Sequence, residues 1–175
     1  MEEDLLALDK RRRLFDIVRR APGIGGREVQ RRAGTAWGET AYHLERLVDA
    51  GLLHRESGGH QDHYFVSAVP MGERTLLRLA RSPSARRLLV ALLEHPESTV
   101  PELVRRTGLS PGRISVHLRR LIETGLVEIG RRERLRTFAV VDRVRILRVL
   151  VCYRSSFGDA WVEGVLATWS ELFRA

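Results

Sequence analysis

The sequence holds one cysteine, Cys152, and one lysine, Lys10, and its longest uninterrupted apolar run is the LLVALL of Leu88 to Leu93. A lone thiol can neither close an intramolecular disulfide nor supply a multi-thiolate zinc site within one chain. Lying in the run ILRVLVCY, Cys152 reads as a small buried apolar residue. The apolar run falls far short of the roughly 18 residues that a membrane-spanning helix needs. A secretory leader would be basic and then apolar, whereas the chain starts MEEDLL, so the expected location is the cytoplasm, in association with the nucleoid. No tract is dominated by Pro, Gly or Ser, which excludes a disordered linker protein. Also missing are a Gly-rich phosphate loop, a carboxylate pair in an apolar setting and a nucleophile with an evident base. No catalytic residue, metal or cofactor is therefore expected, and the chain does not read as an enzyme.

What is present is a folded composition, 43% hydrophobic and 30% charged, with a net charge of +8. The excess is regional. Residues 1–80 carry 13 Lys/Arg against 12 Asp/Glu, residues 81–141 carry 12 against 6, and residues 142–175 carry 5 against 4. Because only Lys10 is lysine, the positive charge is almost entirely guanidinium, whose fork matches phosphate oxygens and guanine edges. An anionic partner is implied, and nucleic acid is the usual one.

A shift of 74 residues superimposes Arg12-Arg13-Leu14 on Arg86-Arg87-Leu88, Pro22 on Pro96, Glu28 on Glu102 and Gly34 on Gly108. Without a gap it also brings His43-Leu44 onto His117-Leu118 and Gly51-Leu52 onto Gly125-Leu126. So long a match at one offset predicts two copies of a single structural unit.

In the second copy, Ser82 is a capping residue with Pro83 at the first helical position, ahead of the helix ARRLLVALLEH. Thr99 caps the helix VPELVRRTG, which Gly108 stops. Ser110 caps a third helix with Pro111 at its start, and Ile114, Leu118, Leu121 and Ile122 form its apolar stripe. After Gly125 the pattern alternates: Leu126 to Ile129, a charged tip of Gly130 to Arg134, then Leu135 to Val141, a β-hairpin. The first copy repeats this as LLHRE, a Gly58-Gly59 tip and HYFVSAV, with one residue more between its strands. The order helix, helix, turn, helix, hairpin is that of a winged helix-turn-helix. The predicted fold is mainly α with small β-hairpin wings (α+β): a first winged helix-turn-helix domain over residues 1–70, a connecting helix over 71–82, a second such domain over 83–141, and C-terminal helices over 142–175. Asp142 caps the first of these, and on the last Trp161, Val165, Trp169, Leu172 and Phe173 share one face suited to homodimerisation.

The segment TGLSPGRISVHLRRLIETGLV with the Arg-rich hairpin after it, and the weaker copy RAGTAWGETAYHLERLVDAGLL, resemble tandem winged-helix transcription regulators common in archaea, with ArsR-like and MarR-like modules. The resemblance covers roughly residues 10–69 and 84–141. It implies that the third helix of a module enters the major groove of double-stranded DNA while the wing meets the backbone or minor groove. The residues support DNA binding independently. Ser110, Gly112, Arg113, Ser115, Arg119 and Arg120 lie off the apolar stripe of the third helix, where small residues permit close approach and Arg113 can read a guanine edge. Arg131, Arg132, Arg134 and Arg136 add charge on the hairpin for phosphates or a narrow minor groove.

The first copy departs from this pattern. Its third helix presents Trp37, Glu39, Tyr42, Glu45, Arg46 and Asp49, and its wing holds Arg55, Glu56 and Asp62. Acids facing phosphates are repelled, so Trp37, Tyr42, Arg46 and Arg55 are candidates for weak DNA contact or for a partner protein. His54, His60, Asp62 and His63 gather on the same hairpin without a diagnostic metal spacing, and the cysteine or His/Asp sets of ArsR-like sensors cannot be mapped here. His43 and His117 read as half-buried groups bonded to backbone. Three functions fit these features: a sequence-preferring DNA-binding regulator read out by the second module, an architectural protein that coats DNA, and a winged-helix adaptor for proteins.

Overall fold

The computed structural model describes residues 9–58, 61–158 and Gly164. It divides into two compact units, Met1–Arg78 and Leu79–Ala175. Each has its own apolar core.

The first unit opens with α1 (Asp9–Arg20), whose Leu14 and Val18 are buried one turn apart. A two-residue strand, β1 (Ile24–Gly25), leads into α2 (Gly26–Ala33), where Val29 and Ala33 face the core. Gly34 stops α2 in the left-handed region at φ 67°, a conformation that a β-carbon would strain. Helix α3 (Trp37–Asp49) buries Thr40, Leu44 and Leu47. The wing follows as β2 (Leu53–Ser57) and β3 (Asp62–Val66), and β1 completes an antiparallel sheet of order β1-β3-β2. Leu14, Val18, Val29, Leu44, Leu47, Leu53 and Tyr64 belong to one buried cluster. Helix α4 (Met71–Ala80) comes next, with Leu76 and Leu77 fully buried.

The second unit repeats the plan with α5 (Pro83–Glu94), α6 (Val100–Thr107), α7 (Pro111–Glu123), β4 (Val127–Arg132) and β5 (Leu135–Val140), then α8 (Arg143–Cys152) and a 3-10 turn, Arg154–Ser156. Helix α5 packs on α6, α7 and β5. Ile114, Leu118 and Leu121 of α7 are buried, as helical spacing requires of a core-facing stripe. Asp142 accepts the Arg145 backbone N–H at 2.9 Å and so caps α8.

The 74-residue offset holds to the residue: the bounds of α1, α2 and α3, shifted by 74, are those of α5, α6 and α7. It also carries the Leu53↔Val66 pairing onto Val127↔Val140. The first hairpin therefore has no extra residue between its strands. Its ladder ends at Ser57↔Asp62, while the second runs on to Arg132↔Leu135. That longer ladder corrects the expected five-residue basic tip, since Arg131 pairs with Arg136 within the strands and only Glu133 and Arg134 form the turn. Strand pairing is a backbone property, and charged side chains on an exposed hairpin do not interrupt it. Strand β1 went unread because two residues carry no periodicity; at the corresponding place in the second unit a lone Ser98↔Phe138 bridge forms.

Two local expectations fail. Ser82 stands at the N-cap of α5 but makes no side-chain capping bond. The neighbouring carbonyls of Ala80 and Arg81 instead accept hydrogen bonds from the buried guanidinium of Arg86, at 2.6 and 3.1 Å. Cys152 is exposed, not buried, because the core stripe of α8 is Ile146, Val149 and Leu150 and Cys152 falls off that face. Trp161, Val165, Trp169, Leu172, Phe173 and His60 lie outside the described residues.

Candidate nucleic-acid interface

Helix α7 begins where two signals agree. The Ser110 hydroxyl oxygen accepts the Arg113 backbone N–H, at a long 3.4 Å, and Pro111 supplies the first helical residue. The first turn is backbone-rich, since Gly112 has open space where a β-carbon would stand. Pro111 has no N–H and the Arg113 amide is taken by Ser110, so the Gly112 N–H is what the first turn offers an anion at the positive end of the helix dipole. Ser110, Gly112, Arg113, Ser115, Arg119 and Arg120 are all exposed. The Ser115 hydroxyl donates to the Pro111 carbonyl at 2.9 Å, which leaves its oxygen as an acceptor, suited to a base amino group rather than a phosphate. Burial, together with the nearby Arg120 and Arg113 guanidinium groups, pushes His117 below its usual value, so it stays uncharged near neutrality.

On the wing Arg131, Arg132, Arg134 and Arg136 are exposed too. Arg136 stacks over Phe138, 5.8 Å from the ring centre. Arg132 differs, for its guanidinium donates to the Glu102 carboxylate at 3.0 Å. Glu102 sits in the first turn of α6 and also accepts from the Thr99 backbone N–H at 2.6 Å and the Thr99 hydroxyl at 2.8 Å. These bonds, the Thr99 backbone bond foremost, hold Glu102 at about 2, well below the usual carboxylate range. Arg132 is therefore partnered by an internal acid, unlike the other arginines of the wing. Among the described residues, Arg113, Arg119, Arg120, Arg131, Arg134 and Arg136 form no ion pair.

Sequence reading overlooked a further pair. Glu28 and Glu102 are equivalent under the repeat, yet Glu28 binds Arg31 at 2.5 Å and Arg32 at 2.8 Å. The Arg31 bond is the larger cause that draws Glu28 down to about 2. In the second unit Glu102 is turned toward Thr99 and Arg132, so the equivalent Arg105 and Arg106 are exposed and, among the described residues, without an ion pair. The signal lay in the repeat itself, but choosing the partner of Glu102 required the position of a residue 30 places away.

Several cations of the first unit are held by its own acids. Lys10 binds Glu39 at 2.5 Å, Arg55 binds Glu45 at 2.6 Å and stands 4.0 Å from Asp62, and Arg74 lies 3.7 Å from Glu56. Arg55, taken from sequence as available for contact, is thus held by Glu45. Arg46 is exposed without an ion pair among the described residues, and Tyr42 is exposed with its ring edge-on to His43. The Nδ1 atom of His43 has no hydrogen-bond partner among the described residues, contrary to the expected backbone bond. Trp37 carries the Arg27 guanidinium 4.1 Å above its ring. His63 is buried with Nδ1 at 2.8 Å from the Gly23 carbonyl, while His54 is exposed on the other strand, and no group of three or more His, Cys, Asp or Glu among the described residues could hold a metal ion. No helix among the described residues is long and apolar enough to cross a membrane.

Against known families, residues 8–77 match a model described as an N-terminal HTH domain, and residues 81–134 match the MarR family. No curated protein matches the chain, and no solved structure does.

Proposed function

We propose that this chain, a DNA-binding transcription regulator built from an N-terminal HTH domain and a MarR-family domain, prefers particular sequences in double-stranded DNA and reads them with its second module. The observation that carries this reading is the contrast in ion pairing. The six guanidinium groups on α7 and the second wing named above keep no carboxylate among the described residues, whereas the equivalent elements of the first unit, α3 and its wing, carry only Arg46 and Arg55, and Arg55 is held by Glu45. A polyanion gains most where cations are not already neutralised.

In this reading the first turn of α7 enters the major groove, Arg113 takes a guanine edge, and Arg119, Arg120, Arg131, Arg134 and Arg136 meet phosphates. The Glu102–Arg132 pair fixes the wing against α6 rather than contacting DNA. A homodimer formed through the C-terminal segment would offer two such readers to a pseudo-palindromic site. The compartment is the cytoplasm, on the nucleoid.

Selection of bound fragments from a random duplex pool tests the proposal. A recoverable motif is expected, and Arg113→Ala should flatten it by about 1–3 kcal/mol at one base pair while leaving binding to random duplex nearly unchanged. Tight, steeply salt-dependent binding with no motif would make the chain an architectural coat instead. No binding at low salt would leave only an adaptor.

A further inference from the structure

The repeat places a cleft between helix-turn-helix and wing in both units, and at the positions the two share the side chains differ. In the second unit a cavity of about 580 Å³ is bordered at the corresponding positions by Val100, Pro101, Leu135, Arg136 and Phe138, and beyond them by apolar residues together with Thr99, Ser115, Arg119 and Glu123. In the first unit the cavity, about 410 Å³, is bordered by Arg27, Trp37, Ser57, Gln61, Asp62 and Tyr64. By the 74-residue shift Val100, Pro101, Leu135, Arg136 and Phe138 stand where the first copy has Gly26, Arg27, Gln61, Asp62 and Tyr64, and Pro111 stands where it has Trp37. Its volume falls within the roughly 300–1,000 Å³ of small-molecule sites.

From this cleft we infer that the first unit binds a planar heterocycle presenting adjacent N–H donors, a guanine-type nucleoside being the best match. Four features of the site converge on that class. First, Trp37 is 37% exposed at the first position of α3, where the second copy has proline, and Ala36 before it makes no side-chain cap. The indole lines the cleft. Second, flat delocalised groups already stack there, because the Arg27 guanidinium sits 4.1 Å from the ring centre of Trp37.

Third, the wall is held by glycine. A β-carbon on Gly26 would come within 3.1 Å of Trp37 and 3.2 Å of Tyr64, and one on Gly25 within 2.7 Å of the Gln61 amide. The backbone thus lies directly against the side chains it orients. Fourth, among the described residues the Asp62 carboxylate accepts a hydrogen bond only from the Ser57 hydroxyl, at 2.8 Å, since Arg55 stands 4.0 Å off and is turned to Glu45 at 2.6 Å. Its remaining lone pairs ask for donors. Arg27 and Arg55 beside it disfavour a cation, which selects a neutral ring with N–H groups. Adjacent ring and exocyclic N–H donors can meet one carboxylate together, and Gln61 can accept or donate at the same edge.

Calorimetric titration of the full chain with guanosine, adenosine, cytidine, uridine and ribose tests the inference. Guanosine should bind saturably and most tightly, and ribose should give no isotherm. Asp62→Asn and Trp37→Ala should each weaken guanosine by at least about tenfold, with far-UV circular dichroism and duplex binding by the second unit unchanged. If Trp37→Ala fails to fold, the exposed Asp62→Asn and Gln61→Ala still decide the matter. The inference is overturned if guanosine shows no saturable binding, if Asp62→Asn binds it as well as the unaltered chain, or if a single-stranded oligonucleotide engages Trp37 while free guanosine does not. None of these outcomes depends on whether the second unit reads DNA.

Discussion

Replacing Arg131 and Arg134 together by alanine is the sharpest probe of the DNA face. Both are exposed, and among the described residues neither has a carboxylate partner, so each is available to displace one condensed counterion from DNA. With Arg113 on a base edge, the other five unpaired guanidinium groups of α7 and the wing give a slope of log affinity against log salt of about −4.5 per monomer. Removing two of them should bring it to about −2.7. Arg132→Ala is the internal contrast. Its charge is already spent on Glu102, so the slope should move by well under the roughly 0.9 expected of a phosphate contact. Fluorescence anisotropy with a labelled duplex between low and moderate salt reads both variants. The reasoning is refuted if the double variant keeps the original slope, or if Arg132→Ala alters it as much as the double variant does.

Glu28→Gln should release Arg31 and Arg32 and strengthen binding to random duplex, with a slope steeper by up to about 1.8; the same titration checks it. Leu118→Ala opens a cavity under the reading helix and should cost about 2–5 kcal/mol in chemical denaturation. Burial, against the opposing pull of the Gly23 carbonyl and with help from Arg78, holds the folded His63 below 6.5. The unfolded chain takes up a proton near that pH which the folded first unit resists, so stability should be full above it and fall as the solution is acidified below it. Thermal melts from pH 7.5 to 5 should show this decline, and His63→Gln should reduce it.

Much of this molecule is written in short-range signals. Helix starts at Pro111 and Asp142, the stop at Gly108 and the apolar stripe of α7 depend on residues within one or two turns, where backbone sterics and capping act. The repeat multiplied their weight, because each signal occurs twice at one offset. Cys152 was misjudged for the same reason: a run of apolar letters does not say which side of a helix faces the core.

By itself, then, the chain determined two copies of a winged helix-turn-helix and the regional surplus of arginine, since periodicity, capping and composition are local quantities. Only tertiary structure decided which charges remain unspent. Glu28 and Glu102 are the same letter at the same place in the repeat, yet one closes on its helical neighbours and the other reaches a wing arginine 30 residues on. Ion pairs form across folded distances of a few ångströms, and sequence separation does not measure them.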